Sequence, residues 1–166
     1  MIKGADIATA AARRYVVGRL RGELNTAAGD AALVASLVAG PTGGRVHSWP
    51  LPDDYPLPAI MFSRYGAGSD IGPIGAGTPS VLATVQFQVR AVCEGYDDTP
   101  VIEPAAIINQ LLDGKYGAVD LLPDLGTYNV EAQRVSELLT DLPVEADGTP
   151  YQHMGGIYSF LVMRVA

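Results

Sequence analysis

Apolar residues recur at helical spacing in three stretches of the chain and alternate with polar ones in several others, and these two periods divide it into elements. Residues 5–24 contain no proline, and Val16, Val17, Leu20 and Leu24 share one stripe, which predicts an amphipathic helix with most of its arginines exposed. Asp30 is a suitable N-cap for a second, shorter helix carrying Leu33, Val34, Leu37 and Val38 and stopped by Gly40 and Pro41. Residues 43–58 hold four prolines and predict an irregular arm, with 45–48 as a short edge strand. Residues 59–65 predict a strand and the glycine-rich 66–80 a long flexible loop.

The clearest alternation lies in 81–93, where Val81, Ala83, Val85, Phe87, Val89, Ala91 and Cys93 fall on one face and Thr84, Gln86, Gln88 and Arg90 on the other. At about 3.3 Å per residue this strand spans roughly 40 Å, long enough to project beyond its sheet as a strand or hairpin. A third helix starts at Pro100 or Pro104 and carries Ile107, Ile108, Leu111 and Leu112; strands follow in 127–139 and 154–165. Strands without regularly alternating crossover helices predict an α+β fold with a mainly antiparallel sheet flanked by helices. With 166 residues, the chain has the size of one domain, 1–166.

Charge changes this picture. The net charge of −7 opposes binding to phosphate backbones. It is also unevenly spread: Lys3, Arg13, Arg14, Arg19 and Arg21 against Asp6 give residues 1–22 a charge of +4 and leave −11 on the rest. Twelve carboxylates lie between Glu94 and Asp147, among them Asp97, Asp98, Asp141, Glu145 and Asp147, with only Lys115 and Arg134 beside them. Two readings stand side by side, ordinary solvated faces or head-to-tail contact surfaces between copies. No apolar run reaches membrane-spanning length, and synthesis in the cytoplasm is expected.

Candidate chemistry is sparse. The glycine pairs Gly66/Gly68 and Gly75/Gly77 precede a strand rather than a helix, unlike a phosphate-binding fingerprint. His47 and His153 lie in no zinc motif, and the single Cys93 sits on a core face, although a Cys–His pair stays open at this level. The pairs Asp53/Asp54 and Asp97/Asp98 have turn chemistry and no EF-hand spacing. No catalytic, metal or cofactor site is therefore expected. Trp49 and Tyr55 in the proline-rich arm either anchor it to its own core or bury in a partner.

The order Gly44-Arg45-Val46, Pro58-x-Ile60 opening a strand, a long alternating strand, a short helix with Ile107, Ile108, Leu111 and Leu112, and Asp147-Gly148-x-x-Tyr151 before a last strand resembles the tail-terminator, or tail-completion, proteins of long-tailed bacteriophages. The likeness covers roughly residues 30–166. It implies a non-enzymatic subunit that forms a hexameric ring, stops tail-tube polymerisation and provides the surface for a head-completion or neck protein at the tail–neck junction of the virion. DNA passes through such a ring without being held. The helix at 5–24 is longer than usual for the family and the loop at 66–80 richer in glycine.

On this reading Arg13, Arg14, Arg19 and Arg21, with Trp49 and Tyr55, are expected at subunit or ring contacts. The carboxylates Asp97, Asp98, Asp141, Glu145 and Asp147 are expected along the lumen or an acidic face, and the loop at 66–80 is expected to order on docking. The alternatives are a head-closure or neck adaptor protein of the phage connector and, from another class, a small monomeric enzyme or ligand-binding domain built on Cys93 with a histidine or an Asp pair.

Overall fold

Helix α1, Gly4–Arg21, buries Ala8, Ala11, Ala12, Tyr15, Val16, Arg19 and Leu20. These positions repeat every three to four residues and so form one face, and its alanines let the backbone approach the sheet closely. Tyr15 meets Phe160 edge-on at 6.2 Å between ring centroids, and its ring edge would lie 3.3 Å from a Cβ added at Gly117. The helix ends three residues before the expected boundary because Gly22 takes φ 80° and the Glu23 and Leu24 amides turn back to the Gly18 carbonyl. These elements belong to a computed structural model that describes residues 4–24, 27–66, 69–71, 82–121, 125–140 and 148–165.

Helix α2, Asp30–Ala39, is preceded by Gly29 at φ 97° and ends at Gly40, whose amide donates to the Ser36 carbonyl. Asp30 is the first helical residue and makes no capping bond; its carboxylate turns inward, a correction to the expected cap. Of the expected stripe, Leu37 is buried, Leu33 and Val34 are half-buried, and Val38 is exposed. Helix α3, Thr99–Leu112, begins at the earlier of the two expected prolines, with Pro100 in its first turn. Pro104 lies inside the helix, and Val101, Ala105, Ile107, Ile108, Leu111 and Leu112 are buried.

Seven strands make one mixed, mostly antiparallel sheet, which places the chain in the α+β class. They are β1 (Val46–Ser48), β2 (Ala59–Arg64), β3 (Ser69–Ile71), β4 (Leu82–Glu94), β5 (Lys115–Leu121), β6 (Gly126–Thr140) and β7 (Tyr151–Arg164). Their order is β1-β2-β4-β7-β6-β5, with β3 also paired to β4. Strand β4 buries Ala83, Val85, Phe87, Val89, Ala91 and Cys93 on the helix-covered face, as its alternation predicts. It does not project. Strand β7 pairs with it from Ala83 to Glu94, while β2 and β3 cover most of its other side, so its length belongs to the centre of the sheet.

Two strands were not visible in the pattern. Strand β3 takes residues 69–71 out of the segment expected to be a flexible loop; residues 67–68 and 72–80 lie outside the described residues. Strand β5 contains Gly117 and alternates weakly, yet it pairs with β6 from Lys115↔Ala132 to Leu121↔Gly126. Beyond Ala132, β6 keeps β7 as its only strand partner, and the register shifts at Val135. On that open side the Arg134 amide donates to Asp113 Oδ1 at 2.8 Å.

Candidate assembly surfaces

The four arginines of the basic segment do not act together. Arg19 shares its helical face with Tyr15, Val16 and Leu20 and is 2% exposed, so its expected place at a subunit contact is corrected. Its Nη1 lies 2.9 Å from Asp30 Oδ2, and its Nε donates to the Leu111 carbonyl at 3.0 Å. It is an internal tie among the three helices.

The other three arginines are exposed. Arg13 donates to Ser48 Oγ at 3.3 Å and stands 5.8 Å from the centroid of the Phe62 ring, within cation–π range. Arg21 donates to the Val46 carbonyl at 3.1 Å, which covers an acceptor of the edge strand β1. Arg14 pairs with Glu23 at 2.8 Å, both side chains about half exposed, a pair that contributes little to stability. Arg64, at the end of β2, is exposed as well. The β1–β2 end of the sheet therefore presents Arg13, Arg21 and Arg64, none of them ion-paired among the described residues.

The arm between β1 and β2 lies over the sheet face opposite the helices, where Met61 and Val92 are buried. Arg45 gathers it, donating to the carbonyls of Pro41, Pro56 and Pro58. Tyr55 is half-buried with its ring 4.9 Å from that of His47, so it anchors the arm to its own sheet. Trp49 is 50% exposed. The two aromatics thus divide between the two roles open to them.

Beneath the arm a cavity of about 320 Å³ is lined by Trp49, Tyr55, Met61, Val92, Tyr151 and His153. His153 Nδ1 is buried without a hydrogen-bond partner among the described residues, and burial together with the nearby Arg90 cation pushes the imidazole down to about 4. A histidine that titrates near 6.5 when unfolded and near 4 when folded leaves the unfolded chain holding more protons between those values. Stability is therefore expected to fall as pH drops from about 6.5 towards 4, and His153→Gln to remove this component. Urea denaturation of both proteins across that range checks it.

Cys93 lies on the opposite face from His153. Its Sγ donates to the Asp97 carbonyl at 3.3 Å, and burial pushes the thiol up, as for an inert core cysteine. His47 Nδ1 sits 2.6 Å from the Ser48 carbonyl. Neither histidine is therefore paired with the thiol. Asp97 Oδ1 accepts from Thr99 Oγ1 at 2.6 Å and from the Thr99 amide at 3.0 Å, bonds that hold its carboxyl below the usual range. It works as turn chemistry at the start of α3, with Asp98 exposed beside it. Asp141, Glu145 and Asp147 lie outside the described residues.

Around α3 and β6 the balance is acidic. Glu103, Asp113, Glu131 and Glu137 are exposed around α3 and β6, where Arg134 pairs with Glu137 at 3.3 Å. Beyond the Lys115 end of β5, α3 and the β6–β7 pair line a groove of about 400 Å³ that includes Ile102, Ala106, Asn109, Met154 and Tyr158. The Tyr158 hydroxyl donates to Asn109 Oδ1 at 3.3 Å, and burial raises it to about 12, so its hydroxyl stays protonated.

No protein-family model matches the chain, and no curated protein matches it.

Among the described residues, no group of three or more His, Cys, Asp or Glu is placed to hold a metal ion, and no helix is long and apolar enough to cross a membrane. The arrangement offers two chemically unlike edges on one sheet. Sequence reasoning found the charge asymmetry but missed both Arg64 and the α3–β6–β7 groove. The groove has no sequence signal, since its lining comes from α3, β6 and β7, which only the fold brings together.

Proposed function

We propose that the chain is a structural subunit of a bacteriophage tail terminator, a homo-oligomeric ring, hexameric by the resemblance, that caps the tail tube and gives a head-completion or neck protein its joining surface. The observation that carries this reading is the uneven charge across the sheet, with Arg13, Arg21 and Arg64 against Asp53 and Asp54 at the β1–β2 end and Glu103, Asp113, Glu131 and Glu137 against Arg134 around α3 and β6. Unlike surfaces at opposite ends favour head-to-tail contacts, which close into rings without two-fold self-complementarity. The role is architectural rather than enzymatic, its place is the tail–neck junction, and its net charge of −7 per copy keeps passing DNA from adhering.

The test is to add the purified protein to polymerising tail-tube protein and image the products. A terminator halts elongation and leaves a ring on one tube end. Tubes that elongate unchanged while the protein binds portal complexes would assign it to head closure instead. Screening weakens contacts between exposed charges, so ring formation is expected to decline between low and high salt.

A further inference from the structure

Trp49 is the only tryptophan in the chain, and half of it is exposed. It follows β1, the first strand in the sheet order, and stands beside Arg13, Ser63 and Arg64, with which it lines a shallow depression. Three to four strand spacings away, roughly 14–19 Å across the sheet, lies the groove between α3 and the β6–β7 pair. Its volume of about 400 Å³ is ample for an indole ring.

The groove offers apolar walls from Ile102, Ala106 and Met154, with Tyr158 buried beneath them and Asn109 as a polar group. Ile102 is 48% exposed there, and Val135 on the neighbouring bulge 56%. Its surroundings carry Glu103, Asp113 and Glu137 against Arg134, whereas the surroundings of Trp49 carry Arg13 and Arg64 against Asp53. The groove is thus net acidic and the Trp49 site net basic, and the two lie on different strands of one sheet.

We infer that Trp49 of one copy seats in the α3–β6–β7 groove of the next copy, with Arg13 and Arg64 facing the carboxylates around that groove. The inference rests on the assembly reading above and specifies its contact. The contact joins unlike surfaces, so an open chain of copies keeps one free knob at one end and one free groove at the other until the ring closes. A large aromatic entering a desolvated pocket is the usual form of an interface hot spot, while the surrounding charges set orientation and association rate.

The full-length protein tests this through its mass distribution in solution and the emission of Trp49. Assembly with concentration is expected to shift that emission to the blue. Trp49→Ala removes the knob and Ala106→Phe fills the groove from an exposed position on α3 without adding a second indole. Each is expected to raise the concentration needed for assembly about thirtyfold or more while leaving the circular dichroism spectrum unchanged.

Mixing the two variants is the sharper experiment, because one keeps its groove and the other its knob. The mixture is expected to form a one-to-one pair and nothing larger. Variants that assemble as the parent does, a parent that stays monomeric at every concentration reached, or rings whose Trp49 emission is unshifted would each overturn the inference. In the last case ring formation itself would stand. Rings that form normally from both variants yet fail to cap tail tubes would give the groove to the tube protein, and also overturn it.

Discussion

Asp30→Ala is expected to destabilise the protein by about 3–5 kcal/mol, seen as a lower urea midpoint, because it leaves the Arg19 guanidinium as an uncompensated buried charge. Arg19 and Asp30 have side chains 2% and 3% exposed and approach to 2.9 Å, with Lys115 a further 3.9 Å from the second carboxylate oxygen. Arg19 also donates to the carbonyls of Leu24 and Leu111. Leu111 lies in the last turn of α3, where backbone acceptors lack helical partners, so one guanidinium caps α3 and ties α1 to α2. Replacing both partners, as Arg19→Met with Asp30→Leu, is expected to cost much less than Asp30→Ala alone, since no charge is then stranded. Equal losses in the single and double variants would contradict this account.

Gly155→Ala is expected to cost about 3 kcal/mol or more, or to prevent folding. A Cβ built there lies 2.6 Å from Arg90 Cα and closer still to the Val89 carbonyl oxygen, and both obstacles are backbone of the paired strand β4. Strands β4 and β7 would have to part at the centre of the sheet. Gly117→Ala provides a control: its Cβ would meet only the edge of the Tyr15 ring at 3.3 Å, and a side chain can shift where two central strands cannot. Denaturant unfolding of the two variants is expected to show a much larger loss for Gly155→Ala, and equal losses would contradict the assignment of the clash to backbone.

Much of the sheet could be read from alternation. Strand β4 has faces so unlike that its helix-facing buried residues are named from periodicity alone, although Val92 is buried on the other face beneath the arm; β6 alternates in 128–133, whereas β7 buries residues 155–158 in a row at the centre of the sheet. The length of β4, however, was ambiguous, because a sequence does not show whether the neighbours are equally long. Here β7 matches it. Strand β5 escaped because Gly117 interrupts its pattern, although that glycine makes room for Tyr15.

The phase of α1 shows a different limit. Aliphatic residues alone place the stripe on Val16, Val17, Leu20 and Leu24; Val16 and Leu20 are buried, but the rest of the buried face is built from alanines, Tyr15 and Arg19, with Val17 and Leu24 at its margin. An arginine is inward only when a carboxylate meets it, and Asp30 comes from another helix, eleven positions on. The same tertiary encounter diverted Asp30 from capping. Of the candidate contact residues, exposure keeps Arg13, Arg14, Arg21 and Trp49 available, while Arg19 and the half-buried Tyr55 serve the fold of the single chain. The charge asymmetry was legible because it is a property of composition by segment; its partition between the two ends of a sheet required the strand order.

The most direct test of the assembly account is the mass and symmetry of the purified protein bound to tail-tube ends, by native mass spectrometry and electron microscopy of the same preparation. The account predicts a closed ring of identical subunits in head-to-tail contact, six times the 17.4 kDa of one chain, on one end of each tube. A protein that stays a 17.4 kDa monomer in the presence of tube ends, or forms only a two-fold dimer, would contradict it.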